Sequence, residues 1–283
     1  MEKNLQELLS MTSLPNSVPY RDEYVDEDGL IRCRECHTRR RNDDNIVIRC
    51  SCQRDSYSED ILMEFRKAQE LSRRAQLLNN LRKDSLLGER YKNCSFGTTE
   101  IVSPEFEKVL RRCEKYCNIA DEVLSKGYGL YIYSGTCGTG KTHLTACMCN
   151  ELLNQYQQCM FTNITDMTKK IMSTFSGKGD TDEVIRKYVD VDFLFIDDIG
   201  IEVVKKDDGN NWLQRQIYEI INLRYNNLKP TIFTSNYSPA ELIEKRGLWQ
   251  RTVDRIAEMS SAIIKLEGES YRLKSRKSKA APF

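Results

Sequence analysis

The strongest chemical pattern in the sequence is a short glycine-rich segment that ends in lysine and threonine. Its residues are Gly135, Thr136, Cys137, Gly138, Thr139, Gly140, Lys141 and Thr142. Glycines allow backbone N–H groups to turn inward around phosphate groups, and the N-terminus of a following helix adds partial positive charge. A lysine at this spacing reaches the β- and γ-phosphates, and the threonine hydroxyl ligates Mg²⁺. The spacing therefore predicts a P-loop for a nucleotide such as ATP, with His143 as the next residue of the site.

Two adjacent aspartates follow an apolar segment about fifty residues later. Residues 193–196 read Phe-Leu-Phe-Ile, and Asp197 and Asp198 come directly after them. Ligands of open α/β sheets bind at the carboxyl ends of the strands. We expect Asp197 to hold Mg²⁺ through water and Asp198 to orient or deprotonate the attacking water. The alternative is that the two acids form a helix cap or a solvated turn.

Three more polar residues are candidates for the same site. Asn236 follows the apolar residues 231–234, and its amide could position water or sense the γ-phosphate without carrying charge. Arg255 is a candidate arginine finger that stabilises charge on the transferring phosphoryl group, in a neighbouring subunit's site. Arg272 could reach the phosphates from the same chain. The alternative for both arginines is a solvated or ion-paired side chain.

Four of the eleven cysteines crowd into twenty residues, as Cys33, Cys36, Cys50 and Cys52. Two close pairs of thiolates suit a tetrahedral Zn²⁺ ion, and a structural zinc would hold together a module that is too small for a core of its own. His37 could replace one sulfur, because the second pair is tighter than usual. The alternative is four reduced thiols.

The remaining sequence predicts the elements that position these residues. From about residue 104, helical patterns alternate with short apolar segments, as in a parallel α/β sheet. Predicted strands are 130–133, 160–162, 193–196, 231–234 and 263–266. Predicted helices are 105–126, 142–155, 165–172, 182–188, 211–226 and 248–259. Residues 59–87 predict a long helix, either a connector or partner surface or an amphipathic helix packed on its own protein. Residues 1–30 show few regular patterns.

Composition limits the class of protein. The 283 residues suffice for roughly two domains, and 40% hydrophobic with 30% charged residues is typical of a soluble globular chain. With 43 basic and 42 acidic residues the net charge of +1 indicates no partner. No apolar run reaches the roughly 18 residues of a membrane span, and the first residues do not resemble a secretory signal. We therefore expect a cytoplasmic protein without a disulfide framework.

Five ordered segments, GTCGTGKTH, FLFIDDIGIE, TIFTSNYS, RTVDRI and GESYR, resemble the AAA+ ATPase domain of bacterial and phage replicative helicase loaders, the DnaC/DnaI family. The resemblance covers roughly residues 93–283 and implies an α/β P-loop domain with a parallel five-stranded sheet. It implies an ATPase that binds single-stranded DNA, self-assembles, and delivers a DnaB-type helicase. It also assigns the arginine finger to Arg255 and the second sensor to Arg272. Asp198 stands where glutamate is commoner, which leaves the turnover rate open.

The resulting domain hypothesis has three parts. Residues 1–57 form a zinc-binding, helicase-docking module, 58–92 a helical linker, and 93–283 the AAA+ ATPase domain. DNA contact is expected from the helical insert before FLFIDD, with the basic cluster at 39–41 as another candidate. The insert carries Phe175 and the basic residues Lys169, Lys170, Lys178, Arg186 and Lys187. Two alternatives remain: an IstB-type transposition helper ATPase, and an ATP-binding helicase-interaction protein with little turnover.

Overall fold

The structure is a computed structural model that describes residues 23–40, 51–176, 180–201 and 211–271, of which 51–62, 176 and 211 are described by their backbone alone. The chain divides into two compact units, Met1–Arg74 and Ala75–Phe283. The division falls inside the segment predicted as a linker, and the predicted domain boundaries stay predictions. No helix of the described segments combines the length and the apolar character that crossing a membrane requires.

The first unit contains a small antiparallel hairpin. It consists of β1 (Glu23–Val25) and β2 (Ile31–Cys33), and Asp26 stabilises the turn by accepting the N–H groups of Asp28 and Leu30. Asp26 also pairs with Arg32. The sequence patterns did not predict these strands, because three residues are too few for an alternation to show.

A long helix, α1 (Ser51–Asp84), crosses from the first unit into the second. It begins eight residues before the predicted start and ends three residues before the predicted end. Phe65 and Leu71 in the first unit are 60% and 67% exposed, whereas Leu78 and Leu81 pack against the core of the second unit. Among the helix residues whose side chains are described, 63–84, those that pack on a core therefore lie in the C-terminal part.

The second unit is a doubly wound α/β domain. Its helices and strands are α2 (Pro104–Asn118), α3 (Ala120–Lys126), β3 (Gly129–Tyr133), α4 (Lys141–Asn154), β4 (Cys159–Asn163), α5 (Ile164–Ser173), α6 (Thr181–Asp190), β5 (Phe193–Ile199), α7 (Asn211–Asn226), β6 (Thr231–Ser235), α8 (Pro239–Glu244), α9 (Gln250–Met259) and β7 (Ser260–Lys265). The five strands are parallel in the order β4-β5-β6-β3-β7. The predicted fold class is confirmed.

Helices cover both faces of this sheet because its strands are apolar on both faces. In β5, Phe193 and Phe195 pack into the core on the side of α2 and α4, while Leu194 and Ile196 pack on the side of α5, α6, α7 and α9. Successive side chains of a strand point to opposite faces, so a continuous apolar run requires cover on both. This explains why the strands appeared in the sequence as uninterrupted apolar segments.

Two helices differ from the sequence predictions. Residues 105–126, predicted as one helix, form α2 and α3, which are separated at Ile119 by a non-helical backbone (φ −112°, ψ 33°). Helix α8 was not predicted, although its start carries a capping box: Ser238 accepts the N–H of Glu241, and Glu241 accepts the N–H of Ser238. With Pro239 at its first turn, this Ser-Pro-x-Glu pattern was a readable signal.

Arg224 in α7 is a fully buried cation that ties together the starts of the neighbouring strands β5 and β6. Its guanidinium donates to the Thr231 hydroxyl at 2.9 Å and to backbone carbonyl groups around the start of each strand. Those carbonyls belong to Tyr188, Val189, Val191, Asp192 and Pro230. The five donors of an arginine fork are thus occupied inside the fold. This set of hydrogen bonds, here called the Arg224 clamp, fixes the N-terminal ends of β5 and β6. The C-terminal ends of the same two strands carry the candidate site.

Candidate nucleotide-binding site

The glycine-rich segment forms a loop between β3 and α4, as its pattern predicted. Gly138 and Gly140 have φ angles of 83° and 100°, which suit glycine because it lacks a Cβ. A Cβ at Gly140 would also lie 3.0 Å from the ring of Phe106. Helix α4 begins at Lys141, so the N–H groups of its first turn face the loop. The segment therefore has the strand–loop–helix geometry of a phosphate-binding loop.

Lys141 is brought to Asn236 across ninety-five residues of sequence. The ammonium group donates to Oδ1 of Asn236 at 2.8 Å and to the carbonyl of Thr136 at 3.3 Å. Lys141 is only 5% exposed, so its charge is held inside the pocket by polar contacts rather than by bulk water. A phosphate group entering the loop would meet a cation and an amide that are already aligned.

Asp197 lies at the end of β5 and accepts two hydroxyl groups. The Thr142 hydroxyl donates to its oxygens at 3.1 and 3.0 Å, and the Thr234 hydroxyl donates at 2.5 Å. Burial raises the pKa of the Asp197 carboxyl to about 6, while the hydrogen bond from Thr234 opposes this shift. The carboxylate and hydroxyl oxygens are the donor types that Mg²⁺ prefers, so Thr142 and Asp197 fit the predicted ion.

Asp198 points differently from its neighbour because the strand pairing is irregular there. The register of β5 against β6 shifts between Ile196 and Ile199, and Asp198 has a positive φ of 54°. Its N–H donates to the Thr234 hydroxyl at 2.8 Å, and the residue lines the pocket. Aspartate tolerates this left-handed backbone better than most residues. The two adjacent acids thus take separate places, one on Thr142 and one facing the cavity.

The pocket beside the loop has a volume of about 370 Å³ and brings together most of the predicted residues. Its remaining lining comes from residues outside the P-loop and the strand-end acids, and of these Tyr271 alone belongs to a segment singled out in the sequence, GESYR. These residues are Arg90, Tyr91, Cys94, Thr98, Thr99, Glu100, Val102, Phe106 and Tyr271. They come mostly from residues 90–106, here termed the pocket wall. No spacing signal identified the pocket wall, because the P-loop pattern describes the phosphate end of a nucleotide site alone.

His143 faces the pocket wall. Its Nε2 lies 3.0 Å from the Thr99 hydroxyl and its Nδ1 3.4 Å from the Cys94 sulfur. Burial lowers the pKa of the imidazole, which favours the neutral ring. His143 lines the pocket, and its contacts connect α4 to the pocket wall; its predicted role in nucleotide binding stays a prediction.

Of the two predicted arginines the structure describes Arg255 alone, and it does not bring this side chain to the pocket of its own chain. Arg255 lies on α9, where it donates to Glu258 at 2.9 Å and stacks 4.4 Å above the centre of the Tyr225 ring. It is absent from the lining of the described pocket. Arg272 lies outside the described residues.

The predicted zinc ligands are described only in part. In the turn after β2, the N–H of His37 donates to the Cys33 carbonyl and the N–H of Cys33 to the Thr38 carbonyl, both at 3.0 Å. This turn brings Cys36 back beside the end of the hairpin, which suits half of a thiolate site. Cys50 and the Cys52 side chain lie outside the described residues. Among the side chains that are described, no three potential ligands form a metal-binding group, and zinc stays a prediction.

The loop between β3 and α4, with a carboxylate at the end of β5, defines a P-loop nucleotide-binding domain of the α/β class. Comparison with protein families matches residues 130–280, more than half of the chain, to the family described as IstB-like ATP binding protein. The chain belongs to this family.

Similar proteins carry the name that the sequence resemblance predicted. Replicative helicase loader DnaC from Escherichia coli (strain K12) is 27% identical over 183 residues, which is 64% of this chain and 70% of the relative. DnaC from Buchnera aphidicola subsp. Baizongia pistaciae is 28% identical over 225 residues, which is 76% of this chain and 87% of the relative. The crystal structure of the DnaC helicase loader matches with a TM-score of 0.55 and 24% identity, covering 64% of this chain and 100% of that one. The resemblance and the AAA+ fold are confirmed.

Proposed function

We propose that this protein is a replicative helicase loader of the DnaC type, in which ATP controls the delivery of a DnaB-type helicase to single-stranded DNA in the cytoplasm. The observation that carries the proposal is a pair of contacts in the pocket: Lys141 donates to Asn236, and Thr142 donates to Asp197. The relatives named DnaC support the same conclusion, since one of them aligns over 76% of this chain.

In this proposal the pocket binds ATP and hydrolyses it. Lys141 neutralises the β- and γ-phosphates, and Asn236 exchanges its contact with Lys141 for the γ-phosphate or the attacking water. Asp198 accepts a hydrogen bond, and then a proton, from that water. Thr142 and Asp197 would hold Mg²⁺, which when bound neutralises charge on the phosphate oxygens.

Hydrolysis needs an arginine beside Asp198 and Asn236, and the described residues place none there. The lining arginine among the described residues is Arg90, on the pocket wall. Arg255 is held on α9 by Glu258 and Tyr225, with its side chain 35% exposed. We therefore infer that Arg255 acts on the nucleotide of a neighbouring subunit in an assembly, and that Arg272 acts from the same chain.

The first unit has a separate role in this proposal. Cys33, Cys36, Cys50 and Cys52 would bind a structural Zn²⁺, which supplies the stability that a hairpin and one helix lack. The unit offers no catalytic constellation among its described residues, so we assign it to helicase docking. The exposed Phe65 and Leu71 on α1 provide apolar contact area for a partner.

The insert between β4 and β5 supplies the proposed single-stranded DNA contacts. Lys169 and Lys170 on α5 and Lys187 on α6 are exposed cations that can contact phosphates. Phe175 is 61% exposed and meets Trp212 edge to face, with ring centres 5.5 Å apart. This pair adds one aromatic surface on which a base can stack.

The proposal is tested by co-purifying the full chain with a DnaB-type helicase, with and without ATP and single-stranded DNA. We expect capture of the helicase, with loss of ATP-dependent delivery to DNA in Lys141→Ala. Lys115→Ala, an exposed lysine on α2 away from the pocket, is the matched control. Unchanged ATP binding and delivery in Lys141→Ala would refute the mechanism. Failure to capture any helicase, together with ATP-dependent assembly on duplex DNA, would favour the transposition helper instead.

A further inference from the structure

Tyr271 contacts both sides of the nucleotide pocket. Its backbone N–H donates to the carbonyl of Gly138 in the P-loop at 2.9 Å. Its hydroxyl donates to Oε2 of Glu100 in the pocket wall at 2.6 Å. Glu100, Gly138 and Tyr271 all line the cavity. A residue from the end of the described chain thus bridges the P-loop and the pocket wall, and the P-loop motif contains neither Tyr271 nor Glu100.

The two ends of this bridge are anchored. On the wall, Thr99 next to Glu100 is held by the His143 imidazole at 3.0 Å. On the other side, the chain leaves the sheet at Leu266, which is 1% exposed and donates its N–H to the Tyr133 carbonyl at 2.7 Å. Residues 267–271 therefore form a strap between a buried anchor and the pocket. Gly268 within it has a φ of 155° and no atom near the position of a Cβ, so this glycine can absorb a hinge movement.

The contact between Tyr271 and Glu100 has the chemistry of a bond that opens readily. A phenol donating to a carboxylate forms a short, charge-assisted hydrogen bond, and burial would make it strong. Here both side chains are exposed, and water competes for each group. A bond of this kind can hold residues 267–271 against the pocket wall and still break readily.

We propose that the Glu100–Tyr271 hydrogen bond is a latch that closes the strap over bound nucleotide and limits the rate at which the nucleotide leaves. The inference rests on the proposed binding of ATP in this pocket. Tyr271 is a positioning residue: it holds the wall and the P-loop at a fixed separation around the ligand. The bond also occupies the Glu100 carboxylate, whose unpaired charge would face an anionic ligand.

The test measures release of an ATP analogue with a fluorescent ribose label, chased with excess unlabelled ATP in a stopped-flow instrument. Tyr271→Phe and Glu100→Leu each remove the bond, and we expect release to accelerate roughly 3- to 10-fold, as loss of one exposed charge-assisted bond implies. Glu100→Gln keeps an acceptor oxygen and should stay within about 2-fold of the original chain. The double variant Tyr271→Phe/Glu100→Leu should release no faster than either single variant, because both remove one interaction.

Two controls separate failure of the latch from failure of the proposed function. Tyr156→Phe alters a tyrosine of similar exposure, 42% against 41%, outside the pocket and should leave the release rate unchanged. Suppose that the original chain binds the analogue and that Lys141→Ala does not. If Tyr271→Phe then releases the analogue at the original rate, the latch is refuted while the proposed ATP site is supported. If the original chain binds no analogue, both inferences fail. Thermal unfolding of each variant checks that it is folded.

Discussion

Thr142 and Asp197, which are fifty-five residues apart in the chain, share a hydroxyl–carboxylate contact of 3.0–3.1 Å inside the pocket. The contact joins the first turn of α4 to the end of β5. It places both candidate Mg²⁺ ligands side by side before any ion is bound, so little rearrangement is needed to create an oxygen site. The same contact holds a carboxylate in a partly buried position, and that position carries a stability cost.

Asp197→Asn should raise the free energy of unfolding of the nucleotide-free protein while weakening its Mg²⁺-ATP binding. The folded-state pKa of about 6 lies above the ordinary value of 3.8. The folded protein therefore binds this proton more tightly than the unfolded chain does, and stability falls as the pH rises from about 4 to about 6. The deficit persists at neutral pH and amounts to at most about 3 kcal/mol.

Thermal unfolding of the original chain and of Asp197→Asn between pH 4.5 and 8 measures this effect. We expect the advantage of the variant to grow through the interval below pH 6 and then to level off. Asp182→Asn, an exposed aspartate at the start of α6, is the matched control. A pH-independent difference would contradict the shifted pKa.

Arg255→Ala should bind ATP normally and lose hydrolysis by about 10³-fold or more, the usual contribution of an arginine finger. If the arginine acts on a neighbour, mixing Arg255→Ala with Lys141→Ala should restore activity, because some interfaces then combine an intact P-loop with an intact finger. An equal mixture gives roughly a quarter of such interfaces by random assembly. ATP turnover against mixing ratio is the measurement, with the exposed Arg112→Ala on α2 as control. An inactive mixture would exclude the action in trans.

Arg224→Met should destabilise the second unit by about 3–5 kcal/mol. The substitution keeps much of the side-chain volume and leaves the carbonyls of the clamp without their buried donor, and an unpaired buried polar group is costly. Urea unfolding followed by circular dichroism measures the loss. Arg215→Met, on an exposed position of the same helix, should change stability by less than about 0.5 kcal/mol. Equal midpoints for the two variants would disprove the structural role of the clamp.

The purified full chain should hold about one zinc ion, and Cys33→Ser/Cys36→Ser should hold none, since a structural site needs all four ligands. His37→Ala should keep the ion, because Nδ1 of His37 lies 2.8 Å from the Tyr24 hydroxyl and its ring packs edge to face on that tyrosine. Metal content per chain by mass spectrometry decides the question. Cys137→Ser, which alters a cysteine of the P-loop, is the control. If His37→Ala loses the zinc and a Cys52→Ser variant retains it, the fourth ligand is the imidazole of His37 and not the sulfur of Cys52.

Elements that are specified by a local pattern of residue types were predictable from the sequence. The apolar runs of the five strands and the P-loop between a strand and a helix correspond to the structure, because each is specified by local residue types. The hairpin at Glu23–Cys33 and the break between α2 and α3 were not predicted. Each is too short to leave a periodic pattern: the strands of the hairpin have three residues, and the break is at a single residue, Ile119.

By itself the sequence determined the class of fold and the phosphate end of the site. Glycine, lysine and threonine at this fixed spacing, between a strand and a helix, form a phosphate-binding loop. Only the tertiary structure decided the rest of the pocket. The strand order places β6 between β5 and β3, which brings Asn236 to Lys141 and Thr234 to Asp197. The return of the chain after β7 places Tyr271 on the P-loop and on Glu100. Such contacts join residues far apart in the chain, and no local pattern records them.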